Sequence, residues 1–358
     1  MDSLKNYRLL GRSGLRVSPL SLGTMTFGKA TSAGAASWGA DRDESRRMFD
    51  TYADRGGNFI DTANGYARGE SESFLGGFLE GRRDRFVLGT KYSFGQSDSD
   101  PNLGGNHRKN MVHSLESSLK RLRTDYVDLY WLHIWERRTP IEEVMRALDD
   151  LVRQGKILYL AISDTPAWKV AEANTLARLR GWTPFVAYQA EYSLLARTPE
   201  REILPMAEDM GLTVMPWGPL QAGVLTGRYS RDDMGKGAGG AEGTREAMNR
   251  ARGLVNEDSM RVVDVVKAIA GELDRSPGQV ALRWILQRPG GMIPILGART
   301  CVQLEENLGC LDFALPGEAM QRLDEVSDID LGFPMSLLTH PRVSKNMLAQ
   351  GLDIEGGY

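Results

Sequence analysis

Eight short apolar runs, each followed by a stretch with helical spacing, constrain this 358-residue chain more than any other feature. The runs are SPLSLGTM (18–25), NFIDTA (58–63), FVLGTKY (86–92), VDLYWLHI (127–134), ILYLAISD (157–164), FVAYQAEY (185–192), LTVMPW (212–217) and MIPILGA (292–298). Between them lie patterns such as DESRRMFDTYADRG, HRKNMVHSLESSLKRLR and IEEVMRALDDLVRQGK. In the last, Ile141, Val144, Met145, Leu148 and Leu151 recur at helical spacing. Thr139 and Pro140 read as its N-cap and first helical residue, and Ser276-Pro277 repeats the signal before VALRWILQR. Eight strand–helix repeats predict an α/β fold, a (β/α)8 TIM barrel. A doubly wound open sheet is the alternative, but no GxGxxG follows the first run.

The expectation is one domain over 1–358. Residues 7–17 predict a β-hairpin turning at Ser13-Gly14 and plugging the barrel bottom, 18–310 the barrel, and 317–358 a C-terminal helix and tail. Two Gly-rich connections, 27–42 after strand one and 228–257 after strand seven, are too long to be plain links. On a barrel, such loops border the active-site face.

Composition narrows the class. Hydrophobic residues are 41%, charged residues 25% and the net charge −3, without a strongly basic stretch, which argues against nucleic acid as partner. The N-terminus lacks the apolar core of a secretory signal, and no segment reaches the ~20 apolar residues of a membrane span. Cys301 and Cys310, in one helical region, read as buried structural thiols. A soluble cytoplasmic protein is expected. His107 and His113 fall on different faces of one helix and His340 in the tail, so no metal site is expected.

Barrels build active sites at the C-terminal ends of their strands. Asp61, Lys91 and His133 stand at such ends, and Tyr66 follows Asp61 in the loop. A tyrosine exchanges protons poorly at neutral pH, because its reference pKa is near 10. An adjacent ammonium, Lys91, would lower that value, and a carboxylate, Asp61, would hold the ammonium in place. His133 could then orient a substrate oxygen.

The segments GNFIDTANGY, GTKY and DLYWLH resemble the aldo-keto reductase superfamily, closest to its aryl-alcohol-dehydrogenase-like and potassium-channel β-subunit-like branch. The resemblance spans nearly the whole chain and implies a catalytic tetrad of Asp61, Tyr66, Lys91 and His133, with Tyr66 as general acid or base. It implies NADP(H) as cofactor; Gln303, where many members carry a second basic residue, weakens strict NADPH use and leaves NADH as the less likely alternative. Implied cofactor contacts are Gly23, Thr24, Met25 and Asp61. Ser163, Asp164 (where many relatives have Asn) and Gln189 would take the nicotinamide, and Trp217 would stack on it. Gly218, Pro219, Leu220, Gly223 and Arg228 would take the pyrophosphate. Gly297, Ala298, Arg299, Gln303, Glu306 and Asn307 would hold the adenosine 2′-phosphate and adenine.

Met25, Phe27, Trp38, Tyr92, Phe94 and Trp135 are the candidate substrate pocket, suited to a bulky or aromatic carbonyl. The expected partner is a small-molecule carbonyl, with no membrane and a monomer favoured over a homo-oligomer. An NADPH-binding regulatory subunit of low turnover is the alternative. A lyase using Lys91 as a Schiff-base amine leaves Trp217, Arg228 and Arg299 unexplained.

Overall fold

The computed structural model describes residues 3–29, 39–97, 99–234 and 253–347, the side chains of 344–346 excepted. A short antiparallel hairpin, β1 (Arg8–Leu9) and β2 (Arg16–Val17), precedes eight parallel strands. These are β3 (Ser21–Gly23), β4 (Phe59–Asp61), β5 (Val87–Tyr92), β6 (Val127–Leu132), β7 (Ile157–Ser163), β8 (Phe185–Glu191), β9 (Thr213–Trp217) and β10 (Ile295–Leu296). Each of the eight apolar runs holds one strand. β3 to β9 pair in chain order, and β10 pairs with β3. The Ile293 amide donates to the Val214 carbonyl at 3.0 Å, linking the last strand to β9 and closing the ring. The fold is a (β/α)8 barrel.

Side-chain alternation separates two apolar layers. Leu129 and Trp131 of β6 face the lumen with Val87, Met215 and Ile293. Tyr130 and Leu132 face the helices with Leu88 and Tyr92. The hairpin closes the lower end: Leu10, Leu15 and Val17 join the lumen cluster. The Gly11 amide donates to the Thr213 hydroxyl at 2.7 Å. Gly11 has φ +56°, and a Cβ there would stand 2.1 Å from the Val186 carbonyl oxygen, so this approach needs glycine.

The helices pack outside the ring. They include α1 (Arg42–Asp54), α2 (Glu70–Phe78), α3 (Arg108–Leu122), α4 (Ile141–Arg153), α5 (Ala167–Arg180) and α6 (Ile203–Met210). After β9 come α7 (Glu257–Leu273) and α8 (Pro277–Gln287); after β10 come α9 (Cys301–Leu308), α10 (Gly317–Val326) and two short helices, α11 (Met335–Leu338) and α12 (Pro341–Met347). α8 starts as its sequence predicts, with Ser276 and Gln279 in a reciprocal capping box and Pro277 in the first turn. α4 does not. Its N-cap is Pro140, one residue later than expected, because the Thr139 hydroxyl is engaged by the Glu136 carboxylate. The five apolar residues of α4 are buried as their spacing predicts.

Cys310 is buried, but in a turn beyond α9, while Cys301 opens α9 half-buried with its sulfur 3.1 Å from the Thr51 hydroxyl. No helix among the described residues is long and apolar enough to cross a membrane. Of the two long connections, 30–38 and 235–252 lie outside the described residues, and Trp38 with them.

Candidate active site

Asp61 is the last residue of β4, Lys91 the next-to-last of β5, and His133 the first beyond β6. Tyr66 opens a tight turn, Tyr66–Gly69, leading into α2. The lumen-facing parity of β5 carries Lys91 inward, where it is buried. Its ammonium donates to the Asp61 carboxylate, to the Thr62 carbonyl at 2.9 Å and to the Tyr66 hydroxyl oxygen at 3.0 Å. The other Asp61 oxygen accepts from the Gln189 side-chain amide at 2.7 Å, across the lumen from β8. The Tyr66 and His133 rings meet edge to face at 5.9 Å. All four residues are thus brought to one place.

Burial and charge set their protonation. Burial opposes the Lys91 charge, but Asp61 beside it, with Tyr66, carries its pKa above the ordinary lysine value. Burial pushes the Tyr66 phenol above its usual value, and Lys91 pulls against this without prevailing. The expected depression is therefore corrected: the cost of desolvating a phenolate exceeds the attraction of one ammonium already shared with Asp61. Burial, with the Lys91 charge behind it, drives the His133 imidazole down to about 2, so it is neutral. Its Nδ1 is buried without a hydrogen-bond partner among the described residues.

A cavity of about 1210 Å³ opens over this group. Asp61, Tyr66 and His133 reach its wall, with Lys91 behind them. Gly23, Thr24 and Met25 border it at the C-terminal end of β3, then Ser163, Asp164 and Gln189 at β7 and β8. Trp217, Gly218, Pro219, Leu220, Gly223 and Arg228 follow β9, and Gly297, Arg299, Gln303, Glu306 and Asn307 follow β10. Ala298 is not on the wall: it is buried, its carbonyl accepting from the Thr26 hydroxyl at 2.5 Å. The Trp217 indole N–H donates to the Asp164 carboxylate at 3.0 Å, and Asp164 has φ +43°, a conformation Asp and Asn tolerate.

The arrangement suits an elongated, anionic cofactor. A Cβ built at Gly297 meets nothing within 4 Å, so the backbone there fronts open space. The Arg299 side chain lines the cavity and has no hydrogen-bond or ion-pair partner among the described residues. The residues present fit a dinucleotide.

The candidate substrate pocket is only partly assembled. Phe94, its ring 4.5 Å from that of His133, and Met25 line the cavity, about half exposed. Phe27 and Tyr92 do not: Phe27 packs edge to face on Phe78 and Tyr92 stacks on Tyr130, both in the helix-facing core. Trp135 turns to Trp168, ring centroids 5.5 Å apart, and does not line the cavity. Sequence reading missed Arg68, Gln96, Ser97, Glu191 and Gln221, which also line it. Closeness to Tyr66 and Phe94 in the chain was the available signal for the first three. His107 caps α3 rather than lying on it, and borders a second, open cavity with His113 and Glu143. Among the described residues, no group of three or more His, Cys, Asp or Glu could hold a metal.

Comparison with known proteins adds a family match and three relatives. The aldo/keto reductase family model matches residues 19–328. Norsolorinic acid reductase of Aspergillus flavus is 38% identical over 340 residues, covering 93% of this chain and 84% of that protein. An aryl-alcohol dehydrogenase [NADP(+)] of Phanerodontia chrysosporium is also 38% identical, covering 90% and 86%, and an aldo-keto reductase of Aspergillus calidoustus is 37% identical, covering 94% and 86%.

Proposed function

The chain belongs to the aldo/keto reductase family, and on that premise we propose that it moves hydride reversibly between NADP(H) and an aldehyde or ketone, with Tyr66 as proton donor in reduction and acceptor in oxidation. One observation carries this reading: the Tyr66 hydroxyl meets the Lys91 ammonium at 3.0 Å on the wall of a cavity that extends to Arg299.

Burial keeps Tyr66 a neutral phenol, a proton source in the resting site. As a carbonyl is reduced, the Tyr66 Oη–H bond breaks and the proton passes to the substrate oxygen. The phenolate left behind faces an ammonium that Asp61 holds charged and in place. Neutral His133 can orient the same oxygen through an N–H without adding charge. When bound, NADPH supplies the hydride, which no side chain provides. Ser163 and Gln189 would hold the carboxamide and Trp217 the nicotinamide face. Gly218 to Gly223 with Arg228 would take the pyrophosphate, and Arg299 the 2′-phosphate, with Glu306 and Asn307 toward the adenine.

Phe94 and Met25 give the carbonyl side an apolar mouth, which suits an aromatic or bulky substrate. Two free thiols suit a reducing cytosol. The strengthened charge on Lys91 disfavours a Schiff-base role, which needs a neutral amine.

Tyr66→Phe tests the assignment. Turnover of benzaldehyde, followed as NADPH absorbance at 340 nm, is expected to fall by about 10²–10⁴-fold, the contribution of a positioned acid. NADPH affinity, read by quenching of tryptophan fluorescence, should stay within about threefold, roughly 0.7 kcal/mol. Full activity in this variant would remove Tyr66 from the role, and failure to bind either nucleotide would sink the reading as a whole.

A further inference from the structure

Over the two residues after Tyr66 the backbone does something that L-residues avoid. Ala67 (φ 46°, ψ 40°) and Arg68 (φ 55°, ψ 35°) are both left-handed, and Gly69 continues the turn at φ 87°. Two consecutive non-glycine residues in this region persist only where the surroundings impose them, and such strain gathers at functional sites. Here the clamps are visible. The Glu70 carboxylate accepts from the Lys29 amide at 2.7 Å, Ser73 donates to the Gly69 carbonyl at 2.9 Å, and the Arg121 side chain packs against Gly69.

The turn places Arg68 on the cavity wall beside Tyr66. Its side chain has no hydrogen-bond or ion-pair partner among the described residues. Phe94, Gln96, Ser97 and His133 line the same cavity, none of them charged at neutral pH; of the carboxylates there, Asp61 is engaged by Lys91 and Asp164 accepts from the Trp217 indole. Arg228 and Arg299 lie on the part of the cavity formed after β9 and β10. A planar guanidinium two residues from Tyr66, in a cavity also lined by an exposed aromatic ring, matches one chemical class: an aromatic ring bearing an oxyanion.

We propose that Arg68 anchors an anionic substituent, a carboxylate or a phenolate, on an aromatic carbonyl substrate whose ring lies against Phe94. This deepens the carbonyl-reductase reading and rests on it for the position of the carbonyl at Tyr66.

The test compares 3- and 4-formylbenzoate with their methyl esters at saturating NADPH, using the wild type, Arg68→Gln and Arg68→Asn. Asn tolerates the left-handed backbone, which guards against a variant that fails to fold. The quantity read is the ratio of kcat/KM for acid over ester, compared between proteins so that intrinsic aldehyde reactivity cancels. It is expected to fall about fivefold in both variants, as for a partly exposed ion pair. In the wild type it should also shrink as salt rises from about 0.02 to about 0.5 M. A ratio unchanged by both substitutions overturns the proposal. The pair 4-hydroxybenzaldehyde and 4-methoxybenzaldehyde tests the phenolate in the same way; loss of preference in either series supports Arg68 and names its anion. If no aldehyde, benzaldehyde included, oxidises NADPH, the parent reading fails separately. Fluorescence titration of the same acids and esters then decides Arg68: tighter binding of the acids, lost in both variants, supports it, and equal binding overturns it.

Discussion

Lys91 holds a charge in a place where a lone ammonium could not stay, and its neighbours read differently once that is clear. Asp61 fixes the charge, and burial outweighs the pull that Lys91 exerts on Tyr66, so the phenol remains above its ordinary pKa. The sequence located these residues because Asp61 and Lys91 stand at strand ends and Tyr66 in the loop after one, but it could not weigh desolvation against attraction, since burial is a property of the assembled site. Tyr92 was misjudged for a simpler reason. It follows Lys91 in one strand, and neighbours in a strand face opposite ways, so a lumen-facing lysine sends that ring to the helices. His133 carries a prediction of its own. Its folded pKa, about 2, lies below the unfolded value near 6.5, so the unfolded chain binds the extra proton. The stability tied to its neutral form is whole above about pH 6.5 and is lost as pH falls toward the folded value. Urea titrations between about pH 6.5 and 4.5 should show a slope of up to ~1.4 kcal/mol per pH unit from this residue, smaller where the unfolded histidine is only partly protonated. His133→Asn should lower that slope, and an identical slope in the variant would count against the assignment.

At the scale of elements, each of the eight barrel strands was legible as an apolar run, but not its length. The run 292–298 yields only Ile295–Leu296, because Pro294 has no amide to donate to the ladder. The start of α4 was misplaced by one residue because Glu136 competes for Thr139, a contact that spacing does not reveal. The hairpin was expected as a plug, and Gly11 shows how closely it seats. Gly11→Ala forces a Cβ onto the Val186 carbonyl in a left-handed backbone. Thermal and urea unfolding should show a loss of about 2–4 kcal/mol. KM for the carbonyl should hardly move, because the hairpin sits at the end of the barrel opposite Tyr66. A stability loss under about 0.5 kcal/mol would mean that the hairpin yields rather than seals.

Taken whole, the ring divides into β3–β6 and β7–β10. Asp61, Tyr66, Lys91 and His133 all come from the first half. Ser163, Gln189, Trp217, Arg228 and Arg299 come from the second, and Gly23 to Met25 are the exception among the residues proposed to hold the cofactor. Distant substitutions that share no partner add in free energy. Tyr66→Phe with Arg299→Ala should therefore cost the sum of the two single losses in log kcat/KM, within about 0.5 kcal/mol. Asp61→Asn with Gln189→Leu should not, because the 2.7 Å bond between those side chains spans the lumen; a double-mutant cycle on kcat/KM that closes to zero there would refute the coupling. On the proposed function, nucleotide preference and proton transfer then become separately heritable traits of one ring. Substitutions after β10 can retune the first while the second stays constant, and Gln189 is a place where a drift in one trait would register in the other.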